Sequence, residues 1–436
     1  MGSGRFWLLA SVFFLMNFAA GAPSPLYRVY QAEWRFSATT LTAVFAAFAV
    51  VLLVTLLFLG SVSDYLGRRP VIVAGLAVNA AACALFLLAR GVGLLFAARA
   101  LQGIAVGTAT GALGAALIEL QPEDSGLGTL VTSAFPSLGL AVGALGTSAL
   151  VQYAAGPTQL VWWLLLGAYV VCIVAVLAMP ESATPRPGVL ASLRPQVGVP
   201  QRARGTFAVA VPCLIAVWAL GGLYLSLGPS LAAQLTGSQN RLWGGLVIFL
   251  LSGIGAAAAA LFRSSNPPSA MLIGCLVLLA GDAVTFAAIA TTTAVAFLLG
   301  TAIAGVGFGL AYLGAFRTSI ALAAPSDRAG FITLIYIVNY LAFSIPALIA
   351  GVASSRFGLH DTSLVYSAAI AALVAAAASS LLLRSPAAHG APELAAAETD
   401  LPPGPCTVPP PSIHSISIPR PGKSFQRSHP QPRRSR

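Results

Sequence analysis

The chain has 436 residues, of which 58% are apolar and only 8% charged, with a mean hydropathy of +0.88. A soluble domain carries about 25% charged residues, so 12 acids and 23 bases spread over this length cannot build a surface that water keeps dissolved. That excludes a cytosolic enzyme, a disordered chain and a collagen-like fibre. It leaves an all-α polytopic membrane protein, because nothing here alternates as the strands of a membrane barrel do.

Apolar runs long enough to cross a bilayer predict twelve transmembrane helices, at 6–27, 39–59, 71–90, 94–119, 128–154, 160–179, 207–228, 242–262, 269–290, 294–317, 330–353 and 363–383. The first begins like a secretory signal, with Arg5 ahead of Phe6–Ala20 and a run of small residues at Ala19–Ala22. Its apolar character continues through Pro25 and Tyr27, however, and removal would leave eleven spans, so it is read as a retained helix.

The net charge of +11 does not point to nucleic acid. Lys423 is the only lysine, and most arginines sit singly or in pairs between apolar blocks, as orientation signals do. With the N-terminus inside, cytoplasmic positions hold Arg5, Arg68, Arg69, Arg186, Arg194, Arg202, Arg204, Arg263, Arg317, Arg328 and Arg384. External loops hold Arg28, Arg35, Arg90, Arg241 and Arg356, so both termini are expected in the cytoplasm of a cell inner (plasma) membrane protein.

The organisation reads as an N-terminal six-helix bundle (1–180), a Pro- and Arg-rich cytoplasmic linker (181–206) and a C-terminal six-helix bundle (207–384). The halves echo each other at one offset. Pro25 matches Pro229, Gly103 and Gly107 match Gly305 and Gly309, and Pro122, Asp124 and Gly126 match Pro325, Asp327 and Gly330. A common offset predicts two pseudo-symmetric bundles. From 385 to 436 the composition changes to 12 of the chain's 29 prolines and six bases, which predicts a disordered tail, either an arm for acidic headgroups or an extension without a role. Cys83, Cys172, Cys213 and Cys275 lie in apolar runs and Cys406 in the tail. No Cys-x-x-Cys spacing occurs, so neither a metal site nor a disulfide framework is predicted.

Four groups of residues carry candidate chemistry. The loop after the second span reads Gly60-Ser-Val-Ser-Asp64-Tyr-Leu-Gly67-Arg68-Arg69, a tight turn whose glycines allow close helix approach and whose charges can pair with helix ends. In the fourth span, Arg99 and Gln102 precede Gly103. A charge at mid-membrane costs about 3 kcal/mol, so Arg99 either faces a cavity or partner, with Asn17 a possible one, or snorkels toward the nearby Arg90 end. The fifth span carries Gly139, Gly143 and Gly146 at a spacing suited to backbone-to-backbone packing. Asp282 in the ninth span is either a protonatable carboxyl or a neutral acid bonded to a neighbouring helix. There is no Walker loop, no nucleophile elbow and no metal-ligand spacing, so no catalytic residue, metal or cofactor is nominated.

The Gly60–Arg69 pattern, in that loop of a twelve-span chain, resembles the signature of the major facilitator superfamily (MFS), over residues 5 to about 384. The resemblance implies the MFS fold and a gating role for Gly60, Asp64, Gly67, Arg68 and Arg69. Arg99 and Gln102 resemble the fourth-helix motif that the family associates with proton coupling. The fifth-span glycines resemble the motif of its exporters, of a bacterial efflux-type branch, with Ala144 where that motif has proline. Trp218, Tyr224, Asn339 and Tyr340 lie on spans seven and eleven, where the family lines its cavity. The expected function is therefore a secondary active transporter, proton-coupled through Arg99 and Asp282. It would export a lipophilic or weakly polar small molecule by alternating access, as a monomer whose partners are the bilayer, solute and protons. Import of a metabolite, and a non-transporting receptor on the same fold, stand as alternatives.

Overall fold

The structure, a computed structural model, describes residues 2–122, 126–181, 188, 193, 197–321, 323–324 and 328–384. The tail, Asp124, Asp327 and half of the linker lie outside the described residues. Twelve helices among the described residues are long and apolar enough to span a membrane. In order they are Ser3–Trp34, Ala38–Leu59, Arg68–Leu88, Val92–Glu119, Leu127–Tyr153, Leu160–Leu177, Gln201–Ser226, Leu242–Leu261, Pro267–Ala290, Ala294–Ile320, Gly330–Phe357 and Leu359–Leu383. Helix is the local answer because hydrocarbon offers the backbone no hydrogen-bond partner, and a helix satisfies its own groups. Polar caps mark the starts. Ser37 accepts from the Thr40 amide at 3.2 Å, and Asn266, ahead of Pro267 and Pro268, accepts from the Ser269 amide at 3.3 Å.

The helix of the first span is interrupted at Ala22, ahead of Pro23 and Pro25. Proline has no N–H, so Pro23 leaves the carbonyl of Ala19, one turn earlier, without its helical donor. That freed carbonyl is used by the buried site described below. The seventh span is likewise followed by a second short helix, Gly228–Thr236, which opens with Pro229.

Glycine faces set the helix distances. A Cβ on Gly103 would stand 2.7 Å from the Phe48 carbonyl oxygen, and one on Gly107 would stand 2.8 Å from that of Leu52, so span four rests directly on the backbone of span two. Gly305 and Gly309 do the same for span ten on span eight, against the carbonyls of Leu250 and Gly255. Gly139 and Gly143 of span five meet Asn17 and the Phe18 carbonyl of span one, and Gly222 of span seven meets the Phe343 carbonyl of span eleven. The pairs four-on-two and ten-on-eight repeat, as do five-on-one and eleven-on-seven.

At the end opposite the Asp64 loop, spans two and eleven close on each other. Thr39 Oγ1 lies 3.0 Å from Ser355 Oγ, and Gly351 leaves room for Thr42. Spans five and eight close at the same end, with Gly245 against Ser148 and Gln152 Oε1 accepting the Arg241 amide at 2.9 Å. A π-helical turn, Phe249–Gly253, interrupts span eight where it faces Ala141 of span five. Two thiols that no sequence spacing links, Cys213 and Cys275, sit with their sulfurs 3.6 Å apart between spans seven and nine.

Candidate functional site

The Gly60–Arg69 loop folds as a turn, a short helix (Ser63–Leu66) and the start of span three. Gly60 takes the close approach, since a Cβ on Gly111 of span four would strike its carbonyl. Gly67 adopts a φ of 97°, which side-chain-bearing residues rarely hold. That conformation presents the amides of Arg68 and Arg69 to one carboxylate, with Glu181 Oε1 accepting from Arg68 at 2.9 Å and Oε2 from Arg69 at 3.0 Å. An acid at the positive end of a helix is favoured by the dipole as well as by the two bonds. The Arg68 guanidinium is shared among Asp64, Ser63 Oγ at 2.8 Å and Glu119 Oε1 at 3.0 Å. Arg69 joins Arg5 on a cavity of about 270 Å³ floored by Leu9, Ile72 and Met179.

Glu119 and Glu181 are thus members of this cluster that sequence reasoning missed. The one available signal was an acid at each of two helix ends on the side where arginines gather. Replacing Glu181 by alanine removes both acceptors and is expected to cost about 1 kcal/mol. Glu181→Gln, which keeps acceptor capacity without the charge, should fall between the two in a thermal unfolding series. Equal stability of all three proteins would show that the cap contributes nothing.

The fourth-span arginine is buried, with 1% of its surface exposed. Arg99 does not snorkel to the helix end. It donates from Nη1 to Gln102 Oε1 at 2.7 Å and to the Ala20 carbonyl at 3.3 Å, and its guanidinium lies 4.1 Å from the Phe48 ring centroid. Gln102 Nε2 donates to the Ala19 carbonyl, the one freed by Pro23, at 3.1 Å. No carboxylate joins this group among the described residues, and Arg99 Nε and the buried Tyr27 hydroxyl have no hydrogen-bond partner. The structure does not bring Asn17 to Arg99. Asn17 donates instead to its own helix, to the Phe13 carbonyl at 2.8 Å, with its Cβ facing Gly139. Gln102 is likewise enclosed rather than lining open space, because both ends of its amide are committed to Arg99 and Ala19.

In the last six spans, Asp282 is buried and accepts from Ser367 Oγ of span twelve at 3.0 Å. Tyr224 bonds Thr301 Oγ1 at 2.9 Å and stacks on Phe297, which ties it to span ten. It therefore stands apart from the other nominated cavity residues. Trp218 instead gathers Tyr312, Tyr340 and Phe343 at centroid distances of 5.6, 5.6 and 5.7 Å. Asn339 accepts from the Trp218 indole N–H at 3.3 Å, with its amide turned so that both ends are paired. Phe343 touches Phe45 of span two at 4.8 Å, so this cluster reaches the junction between the first and last six spans. Six residues of helix separate Thr39 from Phe45, which puts the aromatics about 9 Å below the closed end. Tyr312 and Phe343 were not foreseen from the sequence.

The model of the Major Facilitator Superfamily matches residues 9–345. The chain belongs to that superfamily. Among solved structures, the nucleoside transporter NupG superposes with a TM-score of 0.67 at 11% identity, covering 86% of this chain and 99% of its own. The human organic anion transporter MFSD10 (TETRAN) gives 0.61 at 18% identity, covering 86% and 98%. A comparison with curated protein sequences gives no match. The MFS fold is one of transporters rather than enzymes, and no group of three or more His, Cys, Asp or Glu among the described residues is placed to hold a metal ion. The chain is a multi-pass membrane protein that carries a small solute across a bilayer by secondary transport.

Proposed function

We propose that this MFS chain is a proton-coupled exporter of the bacterial efflux-type branch. It would move a lipophilic or weakly polar solute out through the plasma membrane, as a monomer with both termini in the cytoplasm. Residues 1–180 and 207–384 act as two related six-helix halves, joined by the linker 181–206, that rock about a central site. The repeated glycine contacts, four-on-two with ten-on-eight and five-on-one with eleven-on-seven, support this division. The Asp64–Arg68–Glu119 cluster, with Gly60, Gly67 and Arg69, serves as the gate of the cytoplasmic end.

One observation supports the coupling: Asp282 is a buried carboxyl in the membrane whose side chain meets, among the described residues, a single hydroxyl donor, Ser367. Such a group gains or loses a proton with little else to hold its charge. Arg99 is the second coupling residue, a buried cation without an acid to neutralise it among the described residues. The aromatic group around Trp218 and Tyr340 suits an apolar or weakly polar ligand better than the nucleoside or anion named for the two similar structures. The packing of Gly139 and Gly143 on span one supports the exporter reading, although Ala144 replaces the expected proline.

The test is flux in proteoliposomes under an imposed pH gradient, with a panel of lipophilic fluorescent dyes. Wild type should move a dye against its gradient. Asp282→Asn should lose the proton-driven movement while keeping dye-for-dye exchange. Unchanged gradient-driven transport by Asp282→Asn would remove Asp282 from the coupling.

A further inference from the structure

At the end opposite the Asp64 loop, a second cavity of about 120 Å³ lies between the two halves. Its walls include Pro25 and Pro229, the prolines related by the internal repeat, so the cavity sits where the repeats face each other. Arg28 of span one and Arg241 at the start of span eight both line it, with Gln239 and Gly244. No acid lines the cavity, and neither guanidinium takes part in an ion pair or a side-chain hydrogen bond among the described residues. Closure of this end fixes the pair together. The Arg241 amide is held across the halves by Gln152 of span five, while Gly244 packs on Pro229 within the C-terminal half.

Two like charges, half-buried in one small space, repel more strongly than they would in water. An anion between them offsets that repulsion, and guanidinium groups bind carboxylates and oxyanions in a fork geometry. At about 120 Å³ the cavity suits a compact anion better than an extended solute.

We propose that Arg28 and Arg241 form a binding site for a small anion, such as chloride, sulfate or acetate. Binding there favours the conformation in which this end is closed. The site exists only when the halves meet, so an anion binds the closed state more tightly and draws the population toward it. This assignment rests on the alternating-access reading for its effect, but not for the binding itself.

The experiment uses the full-length protein in lipid nanodiscs, with Cys172 and Cys406 replaced by serine and spin labels on Arg90→Cys and Gln234→Cys. Pulsed dipolar distances are measured while chloride, sulfate or acetate replaces gluconate, a larger anion, at constant ionic strength. The closed-to-open ratio should rise about tenfold with at least one small anion. The double variant Arg28→Gln/Arg241→Gln should be mostly closed in gluconate and insensitive to the exchange. An unchanged distribution with all three anions overturns the site, as does an equal response in the double variant, which marks general screening. If every condition gives one distance, the alternating-access reading fails and thermal unfolding decides the site. An anion-dependent rise in Tm that the double variant lacks supports it, and no rise overturns it.

Discussion

Gly143→Ala is expected to leave little folded protein. An added Cβ would fall on the Phe18 carbonyl, and the Phe18 carbonyl carbon and Cα lie within 2.8 and 2.9 Å of the same point. Backbone cannot swing aside as a flexible side chain can, so spans one and five must separate. Overpacking of this kind costs about 3 kcal/mol. The neighbouring contact makes relief harder, since a Cβ on Gly139 would stand 2.7 Å from the Asn17 Cβ. Gly167→Ala is the matched control. It lies on the exposed face of span six with nothing within 4 Å, and helix propensity alone should make it neutral or slightly stabilising. Monodisperse yield and Tm in detergent check both. Equal behaviour of the two variants would mean that spans one and five are not packed as described.

Arg99→Met separates function from stability. The side chain sits in an enclosed site without a carboxylate, so its charge carries a desolvation cost that the Phe48 ring, Gln102 and the Ala20 carbonyl only partly offset. A methionine, shorter but flexible and apolar, fills part of the space and removes the cost, leaving Gln102 one donor short. Stability should therefore stay within about 1 kcal/mol of wild type. Proton-driven flux, by contrast, should fall about a hundredfold, or about 2.7 kcal/mol. Arg99→Lys keeps the charge but not the planar fork, and should recover only part of the flux. A large fall in Tm with flux retained would make Arg99 a structural residue.

The twelve spans were legible because the bilayer fixes both their length and their composition, and each predicted run overlaps an observed helix. Side-chain grouping was less legible. Trp218 and Tyr224 were nominated together, yet six residues of helix turn a side chain through about 240°. That rotation sends Tyr224 to Thr301 while Trp218 meets Tyr312 and Phe343. Asn17 was nominated as the partner of Arg99 by chemical type alone. What span one supplies is backbone, the Ala20 carbonyl to Arg99 and the Ala19 carbonyl to Gln102, ahead of Pro23, and no side-chain rule reports them. Glu119 and Glu181 lie 51 and 113 residues from Arg68, so only the packing of spans three, four and six brings them into the Asp64 loop.

The claim that the protein carries solute by alternately opening its two ends is tested most directly at Thr39 and Ser355, whose hydroxyl oxygens lie 3.0 Å apart across spans two and eleven. In a Thr39→Cys/Ser355→Cys variant with Cys172 and Cys406 replaced by serine, thiol oxidation should join the two spans and hold that end shut. Dye flux into or out of proteoliposomes should stop on oxidation and return when the bridge is reduced, while each single-cysteine variant transports throughout. Undiminished flux through fully cross-linked protein would contradict the account.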